Sequence, residues 1–268
     1  MEDSKYCYRG TNVLKNKLGL RNPKDLLRAE VKLTSIRLEE LKVAPIKGFF
    51  DYEHLKEIHR YIFQDIYEWA GQERTVEIGK GNMFCITSYL GEYAESIFQK
   101  YYPQCKNNKD NFDDFIHVLA DNYGDLNAMH PFREGNGRAQ REFARTICLR
   151  CGYSFDLHCA THQEMLNASI LSFNKGDNSG LRSIFSKAVE PLSNYTIPDR
   201  LTILTSDDLD IANVSDYYYY NSDQATKKAY KGLYKAKIDK MNAENEIDKA
   251  AALIKKQQSK TNTKNDFR

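Results

Sequence analysis

Apolar residues recur at intervals of three and four along most of the first 190 positions, the spacing of helices that bury one face. The first stripe lies in residues 23–43, where Asn22-Pro23 makes a favourable helix start. A second begins at about Tyr52 and is predicted to run to Trp69, before Gly71 ends it. Helical periodicity returns over residues 90–102, from 112 to a loop at 130–137, after that loop to about 149, over 161–173 and over 179–189. The pattern predicts a mainly α fold.

Residues 74–87 interrupt the helical pattern. Val76 and Ile78 precede a glycine-rich cluster at residues 79–82, and a second short β-prone run follows it. Two such runs around a glycine-rich turn are typical of a β-hairpin. We therefore predict one short hairpin between the second and third helical segments.

The character of the chain changes after the last of these helices. Pro191, Pro198 and a polar stretch close the helical unit, which we predict to form one domain over residues 1–192. Residues 193–258 form an extension, in which 223–257 are predicted to be one long amphipathic helix rich in Lys and Ala. That helix is either a solvated, partly packed extension or a docking or oligomerisation element. The polar tail at 259–268 is predicted to be disordered.

Charge and hydropathy argue against several classes of protein. The chain has 39 basic and 37 acidic side chains, and its net charge of +2 does not favour nucleic acid as a partner, which normally requires a concentrated basic face. The first residues lack the apolar core of a signal peptide, and no later stretch is long enough to span a bilayer. We expect a cytoplasmic protein that does not bind membranes, with delivery as a secreted effector left open.

The six cysteines do not resemble a disulfide framework in a chain of 268 residues. Cys148-x-x-Cys151 followed by Cys159-x-x-His162 has the local spacing of a zinc site. However, only seven residues separate the two pairs, which is short for a ribbon or a finger, and the first pair ends a segment with helical periodicity. Buried free thiols are therefore the favoured interpretation, with zinc as the alternative.

The stretch from His130 to Arg141, HPFREGNGRAQR, concentrates groups suited to phosphate chemistry. His130 ends one helix at a loop, where its imidazole can reach solvent or substrate. Glu134 offers a carboxylate suited to Mg²⁺, which prefers oxygen ligands and usually keeps water and substrate phosphate as the others. Residues 135–137 open the next helix, where backbone N–H groups can form an anion-binding nest. Arg138 and Arg141 lie on one face of that helix, within reach of a polyphosphate. These are the parts of a phosphoryl- or nucleotidyl-transfer site.

The same stretch matches the signature H-x-F-x-[D/E]-G-N-G-R-x-x-R of the Fic family at every fixed position. Residues 12–19, 58–63, 65–71 and 74–76 also resemble that family, and the resemblance covers roughly residues 5–190. It implies a Fic-type helical bundle with a short β-hairpin flap, to which the C-terminal helical extension is added. It also implies a protein adenylyltransferase, which transfers AMP from ATP to a Ser, Thr or Tyr hydroxyl of a target protein and releases pyrophosphate.

The resemblance implies a role for each residue of the motif. His130 would be the general base for the target hydroxyl, which suits imidazole because it titrates near neutral pH. Glu134 would hold Mg²⁺ against the α- and β-phosphates of ATP, and the amides of Gly135, Asn136 and Gly137 would bind phosphate oxygens. Arg138 and Arg141 would contact the β- and γ-phosphates and steady the leaving pyrophosphate.

The hairpin would be the flap of the family, which pairs with an extended segment of the target protein by β-augmentation. On it, Lys80, Gly81 and Phe84 are candidates for lining the nucleotide or clamping the target. A packed hairpin aromatic is an equally good interpretation of Phe84. Asn174 resembles a family position near the adenine, although residues 173–177 also suit an ordinary loop.

Fic proteins are commonly silenced by a glutamate in a [S/T]-x-x-x-E-[G/N] motif, which pairs with the second arginine of the signature, here Arg141. No intact copy occurs in this chain. The partial match at residues 35–40 ends in Glu40 instead of Gly or Asn, and the partial match at 240–245 begins with Lys240 instead of Ser or Thr. We therefore expect a separate small antitoxin-like inhibitor, with self-inhibition by the C-terminal helix as the weaker alternative.

Two other functions remain open. Another transfer through the same scaffold, of UMP, phosphate or phosphocholine, is the first, but the Doc-type kinases of this superfamily depart from Gly-Asn-Gly-Arg, which this chain keeps. An inactive binding module is the second. It is disfavoured because His130, Glu134, Arg138 and Arg141 are all present.

Overall fold

The computed structural model describes residues 5–80 and 82–192, which form eight α-helices and four short strands. The helices are α1 Pro23–Val43, α2 Tyr52–Phe63, α3 Leu90–Phe98, α4 Tyr101–Asn107, α5 Phe112–Met129, α6 Asn136–Cys151, α7 His162–Lys175 and α8 Ser179–Ala188. The strands are β1 Gly79–Lys80, β2 Asn82–Met83, β3 Tyr153–Phe155 and β4 Val189–Pro191. The prediction of a mainly α fold with one β-hairpin is confirmed. The helix at 223–257 and the tail at 259–268 lie outside the described residues, and the domain boundary at 192 stays a prediction.

The core lies around α5 and α6. Helices α2 and α4 pack against α6, while α7 and α8 pack against α5 and against each other. Large aromatic side chains fill the space between these helices, and burial of each contributes about 1.5–3 kcal/mol. The fully buried phenylalanines of the described part include Phe63, Phe115, Phe132, Phe143 and Phe185.

The ends of α5 and α6 shape the loop between them. Helix α5 begins after Asn111, whose side chain accepts a hydrogen bond from a backbone N–H of the first turn, and it ends where His130 adopts a left-handed backbone with φ 47°. Helix α6 begins after Gly135, which is also left-handed with φ 82°. These two reversals confine the predicted loop to a few residues between two packed helices.

Helix α2 ends at Phe63 rather than at Trp69, so the predicted end is wrong. The carbonyl of Ile66 accepts a hydrogen bond of 2.8 Å from the backbone N–H of Lys17 instead of one from its own helix. The chain therefore turns toward the N-terminal segment, although Ile66 and Tyr67 remain buried. Apolar periodicity predicts the burial of these side chains but not the turn.

The segment predicted as one helix over residues 90–102 forms two, because α3 ends at Phe98 and α4 begins at Tyr101. Pro103 explains the break. Proline has no N–H, and in a continuous helix its ring would collide with the carbonyl four residues earlier, at Gln99. In the first turn of α4 the missing N–H has little effect, since it would have no partner within the helix.

A second two-stranded sheet was not predicted. Strand β3 follows α6 directly and pairs antiparallel with β4, with Tyr153 opposite Pro191 and Phe155 opposite Val189. Helix α8 therefore ends at Ala188 and the chain continues as a strand. All three β3 side chains are buried, so no alternation of apolar and polar residues marks this strand in the sequence.

The cysteines of α6 lie inside the core. Cys148 is fully buried and Cys151 is buried, and burial raises the pKa of both thiols. Cys159 is exposed, and its Sγ lies near the backbone carbonyls of Asp156 and Ile184. Within residues 5–80 and 82–192, no group of three or more His, Cys, Asp and Glu side chains is arranged to hold a metal ion. In the same ranges, no helix combines the length and the apolar composition that crossing a membrane requires.

Candidate active site

His130 lies where α5 ends, with its imidazole half-buried. Its Nδ1 is 3.1 Å from the backbone carbonyl of Asn127. A carbonyl oxygen only accepts hydrogen bonds, so in a neutral imidazole Nδ1 carries the proton and Nε2 carries the ring lone pair. The ring stacks on Phe84 of the flap, with centroids 3.8 Å apart and an interplanar angle of 9°. The structure thus joins His130 to the flap through a direct ring contact.

The flap also contacts the end of α7. Besides stacking on His130, Phe84 packs against Phe173 at a centroid distance of 4.8 Å. Beside it, the Asn82 side chain donates a hydrogen bond of 2.6 Å to the Asn174 side chain. The structure therefore brings Phe84, Asn174 and His130 together, as one site requires. The packing of Phe84, which is only 8% exposed, agrees with its interpretation as a packed hairpin aromatic.

The rest of the flap is partly described. Lys80 lies in β1, where its backbone pairs with Asn82, and nothing is described of its side chain. Gly81 lies outside the described residues. In the described part of the chain the flap is a sheet of two strands alone. Met83 and Ile86 are exposed apolar side chains on or beside it.

Glu134 precedes the start of α6, and its side chain is 38% exposed. Its Oε1 accepts a hydrogen bond of 2.9 Å from the backbone N–H of Gly135. A side chain at Gly135 would place Cβ 2.1 Å from the ring of Phe63, and its left-handed backbone also favours glycine. The N–H groups of residues 136–138 then open the helix and have no carbonyl partner within it. Such N–H groups at the positive end of a helix dipole suit an anion.

The side chain of Asn136 holds the loop together. Its Nδ2 donates to the Phe132 carbonyl at 2.7 Å, and its Oδ1 accepts from the Phe132 N–H at 2.8 Å. Since Asn136 is 3% exposed, its amide group is committed to the interior and its backbone N–H is the part suited to phosphate. A role for this side chain in the loop was not predicted from the sequence.

Arg138 lies in the interior, 5% exposed, against α1. Its Nη2 donates to Glu30 Oε1 at 2.5 Å, and its Nη1 donates to Thr34 Oγ1 at 3.1 Å. The other oxygen of Glu30 accepts from the Tyr67 hydroxyl. Burial and then the Glu30 charge raise the pKa of Tyr67 above its ordinary value, so this hydroxyl stays protonated and donates. On its outer side, Arg138 Nη2 lies 3.8 Å from Glu134 Oε1.

Arg141 lies one turn further along α6 and is half-buried. Its guanidinium lies over Gly137, where a Cβ would come within 2.9 Å of Nη1. It also lines a small surface pocket at the start of α7, together with Leu157, Ala160, Thr161, His162 and Met165. The two arginines of the motif therefore have different surroundings, Arg138 beside α1 and Arg141 beside α7.

His59 supports the loop from beneath, a role that the sequence did not predict. Its Nε2 donates to the Glu134 carbonyl at 2.9 Å, and its Nδ1 accepts from the Gly71 N–H at 2.8 Å. Its ring stacks on Phe132, with centroids 3.8 Å apart. Burial lowers the pKa of His59 to about 3, so the ring is neutral and keeps this tautomer. Its position on the apolar face of α2, between Ile58 and Ile62, is the signal that marks it as buried.

Arg74 is the second supporting residue that was missed. Its side chain is fully buried and donates hydrogen bonds to backbone carbonyls of the loop and of the flap. An arginine shortly after a glycine turn has no sequence feature that separates it from a solvated charge.

Glu134 offers a single carboxylate at the mouth of the loop. One carboxylate beside an anion-binding helix start suits Mg²⁺ that is held jointly with nucleotide phosphates, and it does not suit a cage made of protein ligands. The donor set therefore fits the predicted ion.

Comparison with known proteins identifies the scaffold. A model of the Fic/DOC family matches residues 49–148. The chain is 34% identical over 186 residues to the probable protein adenylyltransferase Fic of Salmonella typhimurium, an alignment that covers 69% of this chain and 91% of that protein. The chain belongs to the Fic/DOC family. It is also 37% identical over 194 residues to the protein adenylyltransferase VbhT of Bartonella schoenbuchensis, covering 72% of this chain but only 40% of VbhT.

Solved structures agree with this Fic/DOC assignment. BepC of Bartonella tribocorum, a VirB-translocated effector crystallised with AMPPNP, is 25% identical and superposes with a TM-score of 0.64 over 70% of this chain and 97% of that one. The Fic domain of a Bartonella quintana effector, crystallised with ADP, is 26% identical with a TM-score of 0.65, over 70% of this chain and 95% of that one. The predicted Fic-type bundle is thereby confirmed.

Proposed function

We propose that this Fic protein is a protein adenylyltransferase, which transfers AMP from ATP to a Ser, Thr or Tyr hydroxyl of a target protein and releases pyrophosphate. The observation that carries the proposal is the contact of the His130 imidazole with the flap directly beside the glycine-opened start of α6. Relatives named protein adenylyltransferase, and similar structures holding AMPPNP or ADP, support the choice of AMP and ATP.

His130 acts as the general base. Because its Nδ1 proton is directed at the Asn127 carbonyl, Nε2 is the nitrogen that takes the proton from the target hydroxyl. The hydroxyl oxygen then forms a bond to the α-phosphorus, and the bond from that phosphorus to the bridging oxygen of the β-phosphate breaks. The electron pair of the broken bond leaves with pyrophosphate.

Phosphate binding is shared by the helix start and the two arginines. The backbone amides of Gly135, Asn136 and Gly137 bind phosphate oxygens, as suits the N-terminus of a helix. Arg141 contacts the β- and γ-phosphates. Arg138 assists from the interior, where its Nη2 lies 3.8 Å from the Glu134 carboxylate at the mouth of the loop.

Glu134 would hold Mg²⁺ together with the α- and β-phosphates, and the ion would neutralise charge there. The exposure of this carboxylate and its position before the helix start support that role. On the other side of the nucleotide, Asn174 lies near the adenine.

The target protein binds to the flap by β-augmentation. A two-stranded hairpin has outer edges at which an extended peptide can add a strand, and Met83 and Ile86 offer apolar contacts beside them. Lys80, Gly81 and Phe84 clamp this segment or line the nucleotide. Phe84 does so through the ring that stacks on His130.

A separate antitoxin-like protein silences the enzyme in this proposal. Neither imperfect copy of the inhibitory motif, at residues 35–40 and 240–245, is intact. On α1, Ser35 and Glu39 are buried, and Glu39 bonds to Lys42. Autoadenylylation by the lone chain distinguishes the two kinds of inhibition. A large increase in Glu244→Gly would show self-inhibition and would count against a separate inhibitor.

The enzyme works in cytoplasm, either of the cell that makes it or of one to which it is delivered. The similar protein BepC is a VirB-translocated effector.

The test uses the purified chain in a cell lysate with ATP labelled at the α- or the γ-phosphorus. We expect label on protein from α-labelled ATP and none above background from γ-labelled ATP. In His130→Ala the rate should fall by about a hundredfold or more, because a general base contributes about 10²–10⁴ to the rate. Mass spectrometry of the labelled protein then identifies the modified hydroxyl.

His117→Ala is the matched control, since His117 lies on the same helix with an exposed side chain. It should label at the rate of the unmodified chain. Label from γ-labelled ATP would replace the proposal by phosphate transfer. Equal labelling by His130→Ala, with folding retained, would refute the role of this histidine.

A further inference from the structure

We propose that Arg74 is a positioning residue, which locks the flap to the loop that carries His130 and so sets the distance between a flap-bound target hydroxyl and the imidazole. The inference rests on the proposed function, because the target is taken to bind the flap. Its structural part, the lock itself, concerns only contacts between described residues and can be tested without the reaction.

The side chain of Arg74 connects three separate pieces of backbone. Its Nε donates to the His130 carbonyl at 2.8 Å, its Nη1 donates to the Val76 carbonyl at 3.0 Å, and its Nη2 donates to the Cys85 carbonyl. Val76 and Cys85 lie on the two sides of the hairpin, before β1 and after β2. One guanidinium therefore holds both legs of the flap and the residue at the end of α5.

Backbone hydrogen bonds reinforce this connection on both sides. The N–H of Arg74 donates to the Pro131 carbonyl at 2.8 Å, and the N–H of Cys85 donates to the Ala128 carbonyl at 3.2 Å. The flap is thereby joined to the chain before and after His130. The ring of Phe84, next to Cys85, then lies on the imidazole. A shift of either leg of the flap would move this ring contact.

The chemistry of the position requires arginine. The guanidinium is planar and has five N–H donors in fixed directions, so it can serve three carbonyls at once, whereas the single ammonium of lysine cannot match that arrangement. Hydrogen bonds from a charged donor are also stronger than neutral ones. The carboxylate of Glu77 lies 3.4 Å from Nη1 and also accepts hydrogen bonds from the Thr87 N–H and hydroxyl. It lies outside the buried cluster, where it balances the charge of Arg74.

The bond from Arg74 also stabilises the unusual left-handed backbone of His130. A non-glycine residue rarely adopts φ 47° unless its surroundings hold it there. The bond from Arg74 Nε fixes the carbonyl of this residue, and the bond to Asn127 fixes its ring. Without the first bond, the loop could relax while the interior of the protein stays folded.

The experiment compares Arg74→Lys with Arg37→Lys by amide hydrogen exchange in NMR. Arg37 is a matched control, because its guanidinium makes a bidentate interaction with the Asp65 carboxylate and these hydrogen bonds do not involve the flap. In Arg74→Lys, the amides of Phe84 and Cys85 should exchange at least about tenfold faster, as the loss of one strong hydrogen bond implies. The amide of Leu119, in the core of α5, should keep its protection. In Arg37→Lys the flap amides should not change.

A measurement without substitution supplies a second test. The Nε–H of Arg74 should exchange at least about tenfold more slowly than that of Arg150, which is exposed on α6. Equal exchange at these two groups, or unchanged flap amides in Arg74→Lys, would overturn the lock. Because neither reading uses ATP or a target, both stand even if the chain transfers no AMP.

Activity tests the consequence for the reaction. In Arg74→Lys, kcat for AMP transfer should fall about a hundredfold, as a misplacement of about 1 Å can cause. The KM for ATP should stay within about twofold, since the hydrogen bonds described for the Arg74 side chain go to His130 and to the flap rather than to the helix start that binds phosphate. A rise in KM with kcat unchanged would contradict a positioning role. Absence of AMP transfer by the unmodified chain would instead refute the proposed function.

Discussion

Replacing Glu30 by alanine should strongly destabilise the protein. Glu30 and Arg138 are each about 5% exposed, and the carboxylate accepts both from Arg138 and from the Tyr67 hydroxyl. Removing one partner of a buried ion pair costs about 3–5 kcal/mol, because the remaining charge keeps its desolvation penalty. A buried hydroxyl that loses its acceptor adds a cost of about 1–3 kcal/mol, which is not strictly additive with the first. We expect a loss of about 4 kcal/mol, a large part of a typical total of about 5–15 kcal/mol.

Urea unfolding followed by far-UV circular dichroism measures this loss. For a domain of this size, about 4 kcal/mol corresponds to a fall in Tm of about 8–16 °C. Glu57→Ala is the control, because Glu57 pairs with Arg60 at the surface and such a pair contributes only about 0–1 kcal/mol. The double variant Glu30→Leu, Arg138→Met should lose much less stability than Glu30→Ala, since both buried charges are then absent. A loss below about 1 kcal/mol in Glu30→Ala would refute the reasoning.

Two further predictions concern the loop. The pKa of His59 is lowered to about 3 in the folded protein, so the unfolded chain binds more protons than the folded protein below about pH 6.5. The stabilisation from this neutral histidine is therefore fully present above that pH and is lost as the pH falls toward 3. Between pH 7 and pH 5 this residue alone should lower the free energy of unfolding by about 2 kcal/mol. His59→Gln should show a shallower pH dependence in urea titrations, a comparison that is needed because His54 also has a lowered pKa, and parallel curves would contradict the assignment. Gly135→Ala should cost several kcal/mol more in the same titration than Gly152→Ala, since both have a left-handed backbone but only the Cβ at 135 meets the Phe63 ring; equal costs would show that this crowding is absent.

The sequence predicts features that depend on adjacent residues better than it predicts contacts between residues that are distant in the chain. The helix start after Gly135 and the loop that begins at His130 follow from a few adjacent residues, and the structure has both. Glu30 and Arg138 are 108 positions apart in the chain, and Arg74 is 56 positions from His130. Such contacts depend on how α1 and the flap pack against α5 and α6, and apolar periodicity contains no information about that packing. Glu30 and Arg74 therefore resembled ordinary charged residues of a helix and a turn.

The errors in the fold have similar causes. Pro103 is a local signal for the break between α3 and α4, but the prediction of one helix over residues 90–102 used apolar spacing alone and did not take this proline into account. After the end of α2 at Phe63, by contrast, Ile66 bonds to Lys17, which is remote in the chain. The pairing of β3 with β4 joins residues more than thirty positions apart through strands of three residues, which is too short for a reliable pattern.

Internal hydrogen bonds order the loop at 130–136 when the chain folds, rather than when a nucleotide binds. Asn136 bonds to Phe132 on both its N–H and its carbonyl, and His59 bonds to the carbonyl of Glu134 from below. The conformational entropy of these residues is consequently given up when the chain folds, before any nucleotide arrives. Nucleotide binding then has no further cost for ordering this loop, although the other costs of association remain. A substitution of Asn136 or His59 that loosens the part of the loop next to the helix start should weaken nucleotide affinity even where every phosphate contact is kept.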